Sequence, residues 1–146
     1  MDDTAKTDEA VKVYEEAALR FPNRHLLQYN LGVALEHAKR FDEAIDAYER
    51  DIRIDMYHSS GHLRLGMLEL REGNIVQAML SLQMFLLLEP VSDRSKGIVL
   101  LVEKIAEDTY KEDPKDVLKN DHEDASFSNL ATIIKSKVAL NSNYKS

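Results

Sequence analysis

The sequence predicts an all-α chain of antiparallel helix pairs stacked into a solenoid. Three observations carry that expectation. Small and apolar positions recur every 34 residues, apolar residues fall at helical spacing between short polar breaks, and the breakers are few, with five Gly and three Pro in 146 residues. The hydrophobic share of 44% and charged share of 31% are those of an ordinary globular domain, and the length suits one.

The period is visible residue by residue. Leu31-Gly32 recurs 34 residues on as Leu65-Gly66, Ala44 as Ala78, Tyr48 as Leu82, Ile52 as Leu86 and Ile54 as Leu88. Moving the same distance back takes Asp42-Glu43-Ala44 to Asp8-Glu9-Ala10. DEAVKVYE (8–15) and DEAIDAYE (42–49) differ only at Val11/Ile45, Lys12/Asp46 and Val13/Ala47. Pro22 and Pro90 lie two periods apart, and each closes a helical pattern.

Helices are therefore expected near 8–20, 25–38, 42–54, 59–72, 75–88 and 93–109. The gaps between them are short, so neighbours run antiparallel. Gly32 sits inside the second of these, at a cost of roughly 1 kcal/mol against alanine. With Gly66 one period on and Ala44 and Ala78 on the facing helices, it reads as half of a small-on-small contact between paired helices. Ser92 is placed to cap the sixth helix, which sets Ile98, Val99, Leu101, Val102 and Ile105 on one side and Arg94, Lys96, Lys104 and Asp108 on the other. That is the polar outer face a terminal helix of a repeat array needs. YKEDPKDVLKNDHEDA (110–125) is polar and holds Pro114, hence a linker. Phe127, Leu130, Ile134 and Val138 then mark an amphipathic helix over 126–140.

These residues resemble the tetratricopeptide repeat (TPR) family, whose unit is a 34-residue antiparallel helix pair. The matches are Leu31, Gly32, Ala44 and Tyr48 in one repeat, then Leu65, Gly66, Gly73, Ala78, Phe85 and Pro90, with Ala10, Tyr14, Ala17 and Pro22 before them. Gln28 and His62 stand where Trp is typical, Asp51 where a small residue is usual, and Met56 where Pro is. The resemblance implies a right-handed superhelical solenoid with a C-terminal capping helix and a further amphipathic helix. Residues 1–22 would supply the second helix of an incomplete first repeat, 23–57 and 58–91 two repeats, 92–109 the capping helix, 110–125 the linker and 126–146 the amphipathic helix and tail. The partner helix expected before residue 8 is missing, either because this array lacks it by nature or, the favoured expectation, because the chain is a fragment that begins mid-array.

Composition narrows the function. The net charge is −7, which argues against nucleic-acid binding, since that affinity comes from neutralising phosphates. With no cysteine, there are no disulfides, thiolate metal sites or cysteine nucleophiles. The longest apolar run, Met84 to Leu88, is too short to span a bilayer, so no membrane insertion is expected. A soluble chain follows, cytoplasmic by default. No phosphate loop, nucleophile elbow or metalloprotease motif is present, so no enzyme, cofactor or metal site is expected. His58 and His62 share a four-residue spacing but lack a third ligand nearby, and DHED (121–124) lacks the glycine and alternation of a calcium loop.

The resemblance implies a concave groove lined by the first helix of each pair. Carried over, its positions are Leu26, Tyr29, Asn30, Val33 and His37, then Ser60, Leu63, Arg64, Met67 and Arg71. Such a groove takes an extended or helical segment of another protein, and Asn30, Arg64 and Arg71 can bond a peptide backbone or carboxylate. Asn30 and Arg64 coincide with two positions of the clamp by which some members hold a chaperone's C-terminal carboxylate. Ser60 replaces the clamp lysine, so a working clamp is not expected. On the opposite face, Asp46, Arg50 and Arg53 become Leu80, Met84 and Leu87 one period on, an apolar stripe that calls for a cover. The 126–140 helix would supply it first, and a second copy in a homo-oligomer or a partner chain second. The expected function is a non-catalytic protein–protein interaction scaffold. The alternative is an accessory array of a larger enzyme or secretion/assembly machine.

Overall fold

The computed structural model describes residues 3–111, and among these every regular element is a helix. In order they are α1 (Asp3–Arg20), α2 (His25–His37), α3 (Phe41–Ile54), α4 (Ser59–Arg71), α5 (Ile75–Leu88) and α6 (Asp93–Lys111). α1 begins at Asp3 rather than 8, because nothing in Asp3–Thr7 breaks a helix even though no apolar stripe marks it. α6 runs two residues into the expected linker, and the helix expected over 126–140 lies outside the described residues.

Each helix packs on the next, most extensively α2 on α3 and α4 on α5. Those two pairs are joined by 38–40 and 72–74, and the pairs are linked to their neighbours through 21–24, 55–58 and 89–92. The within-pair turns are copies of one another. Arg40 N–H donates to the Leu35 carbonyl at 2.9 Å, and Asn74 N–H to the Glu69 carbonyl at 2.9 Å. This helix-ending bond requires a left-handed residue just before it. Gly73 fills that place with φ 86°, whereas its counterpart Lys39 holds φ 60° despite its side chain. The strain at Lys39 is on the order of 1 kcal/mol. The expected cap of α6 is present: Ser95 N–H donates to Ser92 Oγ at 3.0 Å and Ser92 N–H donates to Ser95 Oγ at 2.9 Å. That reciprocal pair satisfies two backbone donors at the helix start.

The core runs along the paired faces. Ala44, Tyr48, Ala78, Leu82 and Phe85 are fully buried, with Leu31, Leu35, Leu65 and Leu68 nearly so. Gly32 belongs to this core, but its partner differs from the expectation. A Cβ at Gly32 would stand 2.6 Å from Tyr48 Cε1 and 2.8 Å from Cδ1. One period on, a Cβ at Gly66 would stand 2.7 Å from Leu82 Cγ and 3.1 Å from its backbone nitrogen. The contact is therefore small against large, not small against small. The glycine is a slot for the side chain one turn beyond Ala44 or Ala78, and the alanines bury beside it.

One core position breaks the pattern. The counterpart of Leu35 one period on is Glu69, which is only 5% exposed. Asn74 Nδ2 donates to its Oε2 at 2.6 Å. Burial pushes the Glu69 carboxyl above its ordinary value; the Asn74 bond opposes this, and Glu49 and Glu72 add to it.

Two outcomes are expected. Gly32→Ala gains about 1 kcal/mol of helix propensity but overpacks the Tyr48 ring at about 1–3 kcal/mol, so the thermal midpoint falls. A midpoint at or above wild type would show that the slot is not tight. For Glu69, a raised native pKa means stability present at low pH is lost as the carboxyl ionises. Thermal melts of wild type and Glu69→Gln across pH should diverge above 4.5, with the variant increasingly favoured until the raised value is passed. A difference that does not change with pH would rule out ionisation of Glu69 as its cause.

Candidate functional site

Alternate helices α2, α4 and α6 line a cavity of about 510 Å³. This follows from the pairing: α3 and α5 occupy the other layer, so the first helix of each pair turns one face to a shared groove. Tyr29, Ser60, Leu63, Arg64, Met67 and Arg71, six of the ten expected groove residues, line this cavity. The remaining four do not. Val33 packs against the core, Asn30 is half-buried beside it, and Leu26 and His37 are exposed.

The centre of the cavity is charged. Tyr48 Oη donates to Glu36 Oε1 at 2.6 Å, and Arg64 approaches Glu36 Oε2 at 3.4 Å. Burial and then the Glu36 bond push the Tyr48 hydroxyl far up, so it stays a donor. For Arg64, desolvation works against the charge, but the hydrogen bond with Tyr29 and the Glu36 carboxylate outweigh it and hold the guanidinium above its ordinary value. Arg71 lies over the Phe41 ring, 3.6 Å from its centroid, a cation–π contact, and its Nε lies 4.0 Å from Glu72 Oε1.

Arg94 closes the far end. It forks onto Glu89, Nε to Oε1 at 3.1 Å and Nη2 to Oε2 at 2.5 Å, and its Nη1 donates to Ser60 Oγ at 3.2 Å. The Glu89 carboxyl is lowered, first by Arg94 and then by Ser92. Glu36, Arg94 and Ile98 were not among the expected groove residues. Arg94 lies one period after Ser60, and Ile98 one period after Arg64, so extending the groove into α6 would have found both. Glu36 lies seven residues after Tyr29, on the same stripe of α2.

The back stripe lies where the period put it: Leu80 is 40% and Leu87 74% exposed, and Met84 is half-buried. Its counterparts Asp46, Arg50 and Arg53 are exposed.

His58 and His62, which share helical spacing but were not expected to form a metal site, take separate partners. His62 Nε2 meets the Met56 carbonyl at 3.0 Å, while His58 turns to Asp51. Among the described residues, His25, Asp51 and His58 are the group whose ligand atoms could hold a metal ion, all lying within 4.8 Å of one another. No described helix is long and apolar enough to cross a membrane.

Paired antiparallel helices at a fixed period, with a groove along the first helix of each pair, define an α-solenoid scaffold for protein interaction. A family model described as tetratricopeptide repeat matches residues 3–59. Those residues belong to the tetratricopeptide repeat family, and the same fold and period continue through α4 and α5. Three solved structures share this fold. The chain is similar to SycD, the type III secretion translocator chaperone of Yersinia enterocolitica, at 18% identity and TM-score 0.65, over 71% of this chain and 74% of that one. It is similar to the first TPR of Spaghetti (RPAP3) bound to the HSP90 peptide SRMEEVD, at 20% identity and TM-score 0.63, over 71% and 80%. MamA aligns at 15% identity and TM-score 0.64, over 95% of this chain and 70% of that one. None of the curated proteins matches the sequence.

Proposed function

We propose that the chain binds a segment of a partner protein in the groove between α2, α4 and α6, with no chemistry of its own. The observation that carries this is the charge of the lining. Arg64, Arg71 and Arg94 face the cavity with one lining carboxylate, Glu36, while Glu89 and Glu72 partner Arg94 and Arg71 from behind the lining, in a chain whose net charge is −7. A basic pocket in an acidic chain favours carboxylate-bearing segments and disfavours other acidic surfaces at encounter. Leu63 and Met67 give the same segment apolar contact on one helix face. The solved first TPR of Spaghetti holds a peptide that is itself acidic, SRMEEVD, which accords with this reading. Asn30 and His37, beside the cavity, would extend the contact to a longer segment.

The alternative is that the array serves a larger enzyme or a secretion or assembly machine. It would use the same groove, with the chemistry in another chain or segment.

Affinity capture with wild type, Arg64→Glu and Leu63→Glu tests the groove. Partners retained by wild type should be lost from both variants, because one reverses the charge and the other buries a carboxylate in the apolar strip. Identical captured sets from all three would remove the groove from consideration. A substrate turned over by the isolated chain would overturn the non-catalytic reading.

A further inference from the structure

Away from the groove lining, three residues from three segments meet around one buried carboxylate. Asp51, in the last turn of α3, is fully buried. Its Oδ1 lies 3.0 Å from His25 Nδ1, at the start of α2, and its Oδ2 lies 2.7 Å from His58 Nδ1, just before α4. The two imidazoles meet edge to face, with centroids 4.9 Å apart and planes at 72°.

The repeat does not require this trio. The period counterparts of Asp51 are Ala17 and Phe85, those of His25 are Ser59 and Asp93, and those of His58 are Arg24 and Ser92. At the equivalent junctions the array thus sets an apolar residue, Ala17 or Phe85, where Asp51 stands. Here it sinks a carboxylate into the core, which is costly unless something compensates its charge. Space is also kept for it: a Cβ at Gly61 would collide with Asp51 Oδ2.

We propose that His25 Nδ1, His58 Nδ1 and the Asp51 carboxylate form a binding site for one divalent transition-metal ion of the zinc class. Two imidazoles and one carboxylate are the donors such an ion takes, with water or a second carboxylate oxygen completing the shell. Metal–ligand bonds of about 2.0–2.2 Å place tetrahedral donors about 3.4 Å apart, so the His–Asp separations of 3.0 and 2.7 Å would open by less than about 1 Å, while the widest spacing in the trio, within 4.8 Å, would close by up to about 1.4 Å. On binding, each Nδ1 becomes a ligand and each neutral ring carries its proton on Nε2. For His25 that N–H has a partner waiting, since Nε2 lies 3.6 Å from Asp55 Oδ2. A carboxylate behind a ligating histidine is the usual outer-sphere support. The ion approaches from the imidazole side, where His25 and His58 are 28% and 18% exposed, while Asp51 forms the closed floor.

The ion would pin the start of α2, the end of α3 and the start of α4, and so fix one repeat against the next. It would also set the groove, because the Tyr29 ring stacks edge to face on His58 at 4.9 Å.

The test is titration of the chelator-treated full chain with Zn²⁺ by calorimetry, and with Co²⁺ by visible absorption. Wild type should take up one saturable equivalent of Zn²⁺ and give the visible bands of Co²⁺ bound by nitrogen and oxygen. His25→Gln, His58→Gln and Asp51→Asn should each weaken binding by about tenfold or more, while His122→Gln leaves it unchanged. Zn²⁺ should also raise the thermal midpoint of wild type but not of the three variants. Absence of a saturable equivalent in wild type overturns the proposal, whatever the variants do. So does equal affinity in wild type and all three folded variants, or loss of binding in His122→Gln.

Discussion

The approach of a glycine to a large side chain across each helix pair is the contact on which the array depends. Gly32 leaves room for the Tyr48 ring, and Gly66 leaves room for Leu82. Each glycine costs its helix roughly 1 kcal/mol in propensity. Each also lets a fully buried side chain seat against the opposite backbone, where burial is worth roughly 1.5–3 kcal/mol per large apolar group. The balance favours the slot, and it repeats at one period in two pairs that also share the same turn. Because successive pairs are alike, their first helices fall in one layer and share one groove.

The slot also reaches the groove. With its ring held against Gly32, Tyr48 delivers its hydroxyl to Glu36, and Glu36 faces Arg64 in the cavity. A core contact thus positions a charged pair that a ligand would meet. Arg94 plays the matching part at the far end, tied to Glu89 and to Ser60 across α4. The charges of the groove are thus held by side-chain bonds, while Leu63 and Met67 give it an apolar lining.

Much of this was legible in the sequence because the period constrains many positions at once. The helices, the Ser92 cap and the exposed stripe of Leu80 and Leu87 follow from spacing, and the groove positions of Leu63 and Arg64 from the family resemblance. Contacts that cross between helices were not legible, since spacing says which face a residue takes but not which neighbour meets it. Gly32 was matched to Ala44 when Tyr48, one turn on, is the residue it admits. Arg94 was placed on the wet side of α6, where it is half exposed, but its long side chain reaches back to Glu89 and Ser60. The same limit hid the trio around Asp51. His58 was weighed against His62 at helical spacing, whereas its neighbours in space are Asp51 and His25. The departure of Asp51 from a small residue was the one visible sign.

The central claim is that Tyr48 and Gly32 are coupled, each tolerable only because of the other. A double-mutant cycle on Gly32→Ala and Tyr48→Val, read by urea denaturation, measures that coupling. Gly32→Ala should destabilise the wild-type chain, yet be neutral or stabilising by up to about 1 kcal/mol once Tyr48→Val has emptied the slot. An equal loss from Gly32→Ala in both backgrounds would contradict the account.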